Sequence, residues 1–102
     1  MVIGKPLPKV LEELRALQPE LQRRFGVRSL AVFGSRATET GTDASDLDLL
    51  VRFEEGARPT MFTLSNMDLL LEERLGLRVD TLPESCVNPR IEPYISATLR
   101  EV

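Results

Sequence analysis

The sequence contains no histidine and only one cysteine in 102 residues. The missing histidine removes Ser-His-Asp and Cys-His nucleophilic catalysis, and with them every zinc site that needs an imidazole ligand. Cys86 alone can close no internal disulfide and build no cysteine-rich metal site, so it reads as a small loop residue. No apolar run reaches transmembrane length. The first nine residues carry two prolines where a signal peptide would have its apolar stretch. These absences predict a cytoplasmic protein with no membrane attachment. Any catalysis must come from carboxylates, arginines, hydroxyls and backbone amides.

Positive charge is also in short supply. Thirteen basic residues face sixteen acidic ones, for a net charge of −3. Broad, charge-driven nucleic-acid binding wants a basic footprint and is not expected; a local basic pocket for one triphosphate is compatible. Hydrophobic residues make up 42% of the chain, enough for one core. The expectation is one domain over residues 1–102.

Leu7, Val10, Leu11, Leu14, Leu17, Leu21 and Phe25 recur at three- and four-residue steps, the apolar stripe of a helix ending at Gly26. Pro19 falls inside it and predicts a kink or break near Leu17–Gln18. Ser29–Phe33 reads as a buried strand, Gly34–Ser45 as a loop and Asp46–Phe53 as a second strand. A helix over Thr60–Leu75 stops at Gly76, a third strand covers Leu77–Leu82, and a last helix starts either at Asn88-Pro89 or, with Pro93 in its first turn, near Glu92. This order predicts an α/β (α+β) fold, a small mixed sheet flanked by helices. The run Leu69-Leu70-Leu71 exceeds what one helix face buries and points to an interface, with a partner protein or with a second copy of the chain.

The chemistry is concentrated in Gly34-Ser35, ten intervening residues, and Asp46-Leu47-Asp48. On a strand, residues two apart share a face, so both carboxylates project to one side while Leu47 and Leu49 enter the core. Adjacent like charges resist desolvation, and a divalent cation resolves the conflict. Mg²⁺, or Mn²⁺ in its place, takes one or two carboxylates together with substrate phosphates. Asp80, near the end of the third predicted strand, would be the third carboxylate if that strand lies beside the second. Three such groups match a two-metal site with ions ~3.5–4 Å apart. Gly34 allows close backbone approach to a phosphate, Ser35 adds a hydroxyl donor, and Arg36 is a candidate phosphate contact. Asp43 reads as a turn residue, Asn66 and Asp68 as solvated helix positions, and Tyr94 as core or interface.

The segments FGSRA (Phe33–Ala37), SDLDLLV (Ser45–Val51) and LGLRVDTL (Leu75–Leu82) resemble the minimal nucleotidyltransferases (MNT) of the DNA polymerase β-like superfamily over nearly the whole chain. The resemblance implies a palm-like nucleotidyltransferase fold. It implies metal binding and catalysis by Asp46, Asp48 and Asp80, phosphate binding at Gly34 and Ser35, and ATP as nucleotidyl donor. It further implies an antitoxin that transfers AMP to a tyrosine of a HEPN-domain toxin. The short chain leaves no room for an acceptor-holding domain, so the acceptor is expected to dock as a separate protein. The alternative is an antitoxin that binds nucleotide but inhibits its partner by occlusion alone.

Overall fold

A computed structural model describes residues 6–34 and 46–102. Helix α1 (Leu7–Phe25) buries Leu7, Val10, Leu14 and Leu21, the stripe expected from the spacing. The break expected near Leu17–Gln18 does not occur, because α1 runs through Pro19 as one helix. Proline forfeits the N–H bond to the carbonyl four residues back. Complete burial of Leu14 and Leu21 on either side outweighs that loss.

Strand β1 (Val27–Phe33) begins two residues earlier than expected, and β2 (Leu47–Phe53) one residue later, which leaves Asp46 just before the strand. Helix α2 (Met61–Leu75) starts at a reciprocal cap: the Thr63 N–H donates to the Thr60 hydroxyl at 3.2 Å, and the Thr60 N–H to the Thr63 hydroxyl at 3.1 Å. Strand β3 (Val79–Pro83) is shifted along the chain from the expected Leu77–Leu82 and includes Pro83, which an edge strand tolerates. A 3-10 turn (Glu84–Cys86) carries the exposed, free Cys86. Helix α3 (Glu92–Thr98) takes the later of the two expected starts. A strand that was not anticipated, β4 (Arg100–Glu101), follows it.

The four strands form one mixed sheet in the order β3-β2-β1-β4. β1 is antiparallel to both β2 and β4, and β2 runs parallel to β3 through the α2 connection. The fold is thus α+β, as expected. The two sheet faces are unequal. Leu47, Leu49 and Val51 of β2 join Leu30, Val32 and Val79 in the larger core, against α1 and α2. Residues of opposite parity, Ala31, Phe33 and Leu50, pack with Ile95 of α3 in a smaller one.

Arg52 ties the sheet to the end of the chain. Its guanidinium donates to both Glu101 carboxylate oxygens (2.8 and 3.0 Å) and to Glu84 (2.8 Å), a bidentate geometry that fixes orientation as well as charge. No helix among the described residues is long and apolar enough to cross a membrane.

Candidate active site

Strand alternation delivers Asp48. Its neighbours Leu47 and Leu49 are fully buried, so its side chain must leave from the other face, where it is half-buried. Register then assembles the site. Asp48 pairs with Phe33 across the antiparallel β1–β2 contact and with Asp80 across the parallel β2–β3 contact. Side chains of directly paired residues emerge on the same face. Asp80 is exposed at its strand position, and Asp46 is exposed at the entrance to β2. The condition set on Asp80, that the third strand lie beside the second, is therefore met, and it gathers all three aspartates at one edge of the sheet. Their proximity is felt electrostatically. Burial, then the charge of Asp80, then that of Asp46, hold the Asp48 carboxyl above the usual carboxylate range.

Gly34 closes the same edge. Its φ of +79° lies in the left-handed region, and a Cβ there would meet Asp48 Oδ2 at 2.6 Å. Glycine is required because the backbone runs directly beside the carboxylate. The Gly34 N–H donates to the Thr98 hydroxyl at 2.9 Å, so in this arrangement the amide is engaged by α3. Ser35 and Arg36, together with Asp43 and Ser45, lie outside the described residues.

Asp68, read from the sequence as solvated, and Tyr94, read as core or interface, both stand close to the site. Asp68 is half-buried rather than solvated. The Thr81 hydroxyl donates to its Oδ1 at 2.6 Å, while burial first, and Asp80 and Glu72 further, raise its carboxyl above the usual range against the lowering effect of that bond. Glu72 accepts from the Val79 N–H at 3.0 Å. The two α2 carboxylates thus fasten β3, and with it Asp80, in place. The signal was in the spacing: Asp68 falls on the stripe of Leu64, Leu71 and Leu75. Asn66 is exposed, as expected. Tyr94 is exposed rather than part of the core. Its ring meets Phe33 edge-on at 6.5 Å, and its hydroxyl points toward Gly34.

Among the described residues no three acidic or thiol groups form a ready-made metal cage. The donor set nonetheless fits Mg²⁺, which combines one or two carboxylates with substrate phosphates and water. The half-buried Asp48 beside two other carboxylates is the kind of charge conflict that a divalent ion relieves. A cavity of about 270 Å³ lined by Arg15, Gln18, Arg28 and Glu101 includes none of the three aspartates.

Gly34 is held against Asp48, with Asp46 just before the strand and Asp80 in register beside it, an arrangement able to take up the phosphates of a nucleotide together with a divalent ion. The nucleotidyltransferase domain family matches residues 8–101, and the chain belongs to that family. The protein adenylyltransferase MntA of Thermococcus cleftensis is 38% identical over 96 residues, covering 94% of this chain and 92% of the relative. A solved structure described as a candidate minimal nucleotidyltransferase is 38% identical, with a TM-score of 0.68 over 90% of this chain and 95% of the other. The fold is also shared with a chain from the complex of a tri-AMPylated Shewanella oneidensis HEPN toxin with its MNT antitoxin. There the TM-score is 0.59 at 14% identity, over 94% of this chain and 67% of that one.

Proposed function

We propose that this enzyme transfers AMP from ATP to a hydroxyl side chain of a HEPN-type toxin and thereby acts as its antitoxin. The observation that carries the reading is the register of Asp48 with Asp80, with Asp46 adjoining at the same sheet edge. Asp46, Asp48 and Asp80 would hold Mg²⁺ or Mn²⁺. Such an ion, when bound, supplies neutralising charge at the phosphates.

The chain's own groups supply position and proton transfer. Asp80, at the outer strand β3, accepts the proton of the acceptor hydroxyl. The hydroxyl oxygen forms the new bond to the α-phosphorus as the bond from that phosphorus to the bridging oxygen breaks. The nucleotidyl group passes to the acceptor, and pyrophosphate leaves on the opposite side. Gly34 keeps the backbone low enough for Asp48 to stand beside the phosphates. An exposed apolar stretch on α2, formed by Met61, Phe62 and Leu69, supports docking of a protein acceptor. Of the leucine run that pointed to an interface only Leu69 stays exposed, since Leu71 is buried and Leu70 packs against the core.

The test is the intact mass of the co-expressed partner, with wild-type protein and with Asp46→Ala plus Asp48→Ala. Mass increments of whole AMP units, lost with the double variant, are expected. A partner silenced equally by both versions and unmodified by either would make the protein a stoichiometric inhibitor and overturn the enzymatic reading.

A further inference from the structure

The chain's one tyrosine stands where the proposed reaction assigns no residue. Tyr94 lies in the first turn of α3 and is 54% exposed. Its hydroxyl comes within 3.2 Å of the point where a Gly34 side chain would begin, and Asp48 Oδ2 lies 2.6 Å from the same point. The phenol and the carboxylate therefore flank Gly34 together. Their arrangement is held from behind. The Thr98 hydroxyl accepts from the Gly34 N–H at 2.9 Å and is bonded to the Tyr94 carbonyl at 3.0 Å. Phe33 supports the ring edge-on. Among the described residues the phenol hydroxyl has no hydrogen-bond partner, and it stands as a positioned donor beside Gly34.

In-line displacement sets the attacking and leaving oxygens on opposite sides of phosphorus. Sheet order places Asp80, on β3, to one side of Asp48, and Gly34, at the end of β1, to the other. If Asp80 attends the acceptor hydroxyl, as the nucleotidyl-transfer reading holds, the pyrophosphate half of the donor lies on the side of Gly34. We infer that the Tyr94 hydroxyl donates a hydrogen bond to the β- or γ-phosphate of the bound nucleoside triphosphate. Tyr94 is then a donor-side binding residue, and the same placement excludes it as the acceptor, since a hydroxyl on the leaving-group side has no in-line path. This inference rests on the nucleotidyl-transfer reading.

Calorimetric titration separates the two. AMP-PNP and AMP are titrated with Mg²⁺ into the wild type, Tyr94→Phe, and Asp46→Ala plus Asp48→Ala. The phenylalanine keeps the ring against Phe33, so the fold is retained, and circular dichroism checks this. Loss of one hydrogen bond to a charged phosphate is expected to weaken AMP-PNP about tenfold and to leave AMP unchanged. Unchanged AMP-PNP affinity in Tyr94→Phe, or an equal loss for AMP, would overturn the assignment while leaving nucleotidyl transfer standing. An AMP adduct on Tyr94 itself, seen by mass, would also overturn it. A wild type that takes up no AMP-PNP, or a double aspartate variant that binds as well as the wild type, would remove the transfer reading and the assignment with it.

Discussion

The two faces of the sheet are built to different rules. The core between the sheet and α1 and α2 holds fourteen buried apolar residues among those described, and the core between the sheet and α3 only four. Both draw on the same strands, since Leu49 and Leu50 are sequence neighbours that point to opposite cores. The larger side can be wholly apolar because its neighbours are long amphipathic helices. The smaller side is covered by a seven-residue helix, and its open edge holds Asp48 and Asp80. Stability is concentrated where nothing reactive is present, which lets the other face carry a cluster of like charges.

Truncation on either face measures that division. Leu49→Ala, in the larger core, is expected to cost about 3–5 kcal/mol in urea denaturation, and Leu50→Ala about 2–3 kcal/mol; equal costs would break the comparison. Gly34→Ala is expected to cost about 1–3 kcal/mol from its positive φ. Unlike the leucine variants, it should also depress AMP-PNP binding in the remaining folded protein, because the new methyl displaces the Asp48 carboxylate. Thr60→Ala removes the α2 cap for about 1 kcal/mol and should leave nucleotide affinity at the wild-type value.

The smallest expected effect has the opposite sign. Asp48 binds its proton more tightly folded than unfolded, since its carboxyl is raised above 3.8 by burial and by Asp80 and Asp46. Its favourable contribution is therefore present at low pH and is lost as pH rises through the folded value. In metal-free buffer Asp48→Asn should be slightly more stable than the wild type at neutral pH; its advantage should shrink as pH falls through the raised folded value and be gone below the ordinary carboxylate value. Denaturation curves collected across that range check the sign.

What could be read in the sequence depended on how local its cause was. The α1 stripe and the alternation around Asp48 are short-range patterns, and both appear in the structure with Leu14, Leu21, Leu47 and Leu49 fully enclosed. The adjacency of β2 and β3 could only be stated as a condition for Asp80 to join the other two aspartates, because strand order is not a local property, and the register meets that condition. The continuity of α1 through Pro19 was not legible, because burial against other elements overrides a local breaking signal. β4 was missed because two residues, Arg100 and Glu101, carry no periodicity and become a strand only by pairing with Val32 and Ala31. Tyr94 was placed only vaguely, since its relation to Gly34 passes through Thr98, four positions along α3. Ser35 and Arg36 remain expectations from the motif.

The pairing of β1 with the last residues of the chain has a consequence for the order of assembly. Ala31 finds its partner in Glu101, and the Val102 N–H reaches the Leu30 carbonyl at 3.1 Å. On a ribosome adding about 5–20 residues per second, the outer edge of β1 waits several seconds for that partner. Until then the strand leading into Gly34 has an open edge, an invitation to pair with a neighbouring nascent chain. The Thr98 bond to Gly34 and the Arg52 bridge to Glu101 are bound to the same late event. The large core can close first around α1, β2 and α2, whereas the sheet edge at Gly34 acquires its final shape only when translation has passed residue 101. A nascent chain stalled short of that point would hold a folded core and an unfinished site.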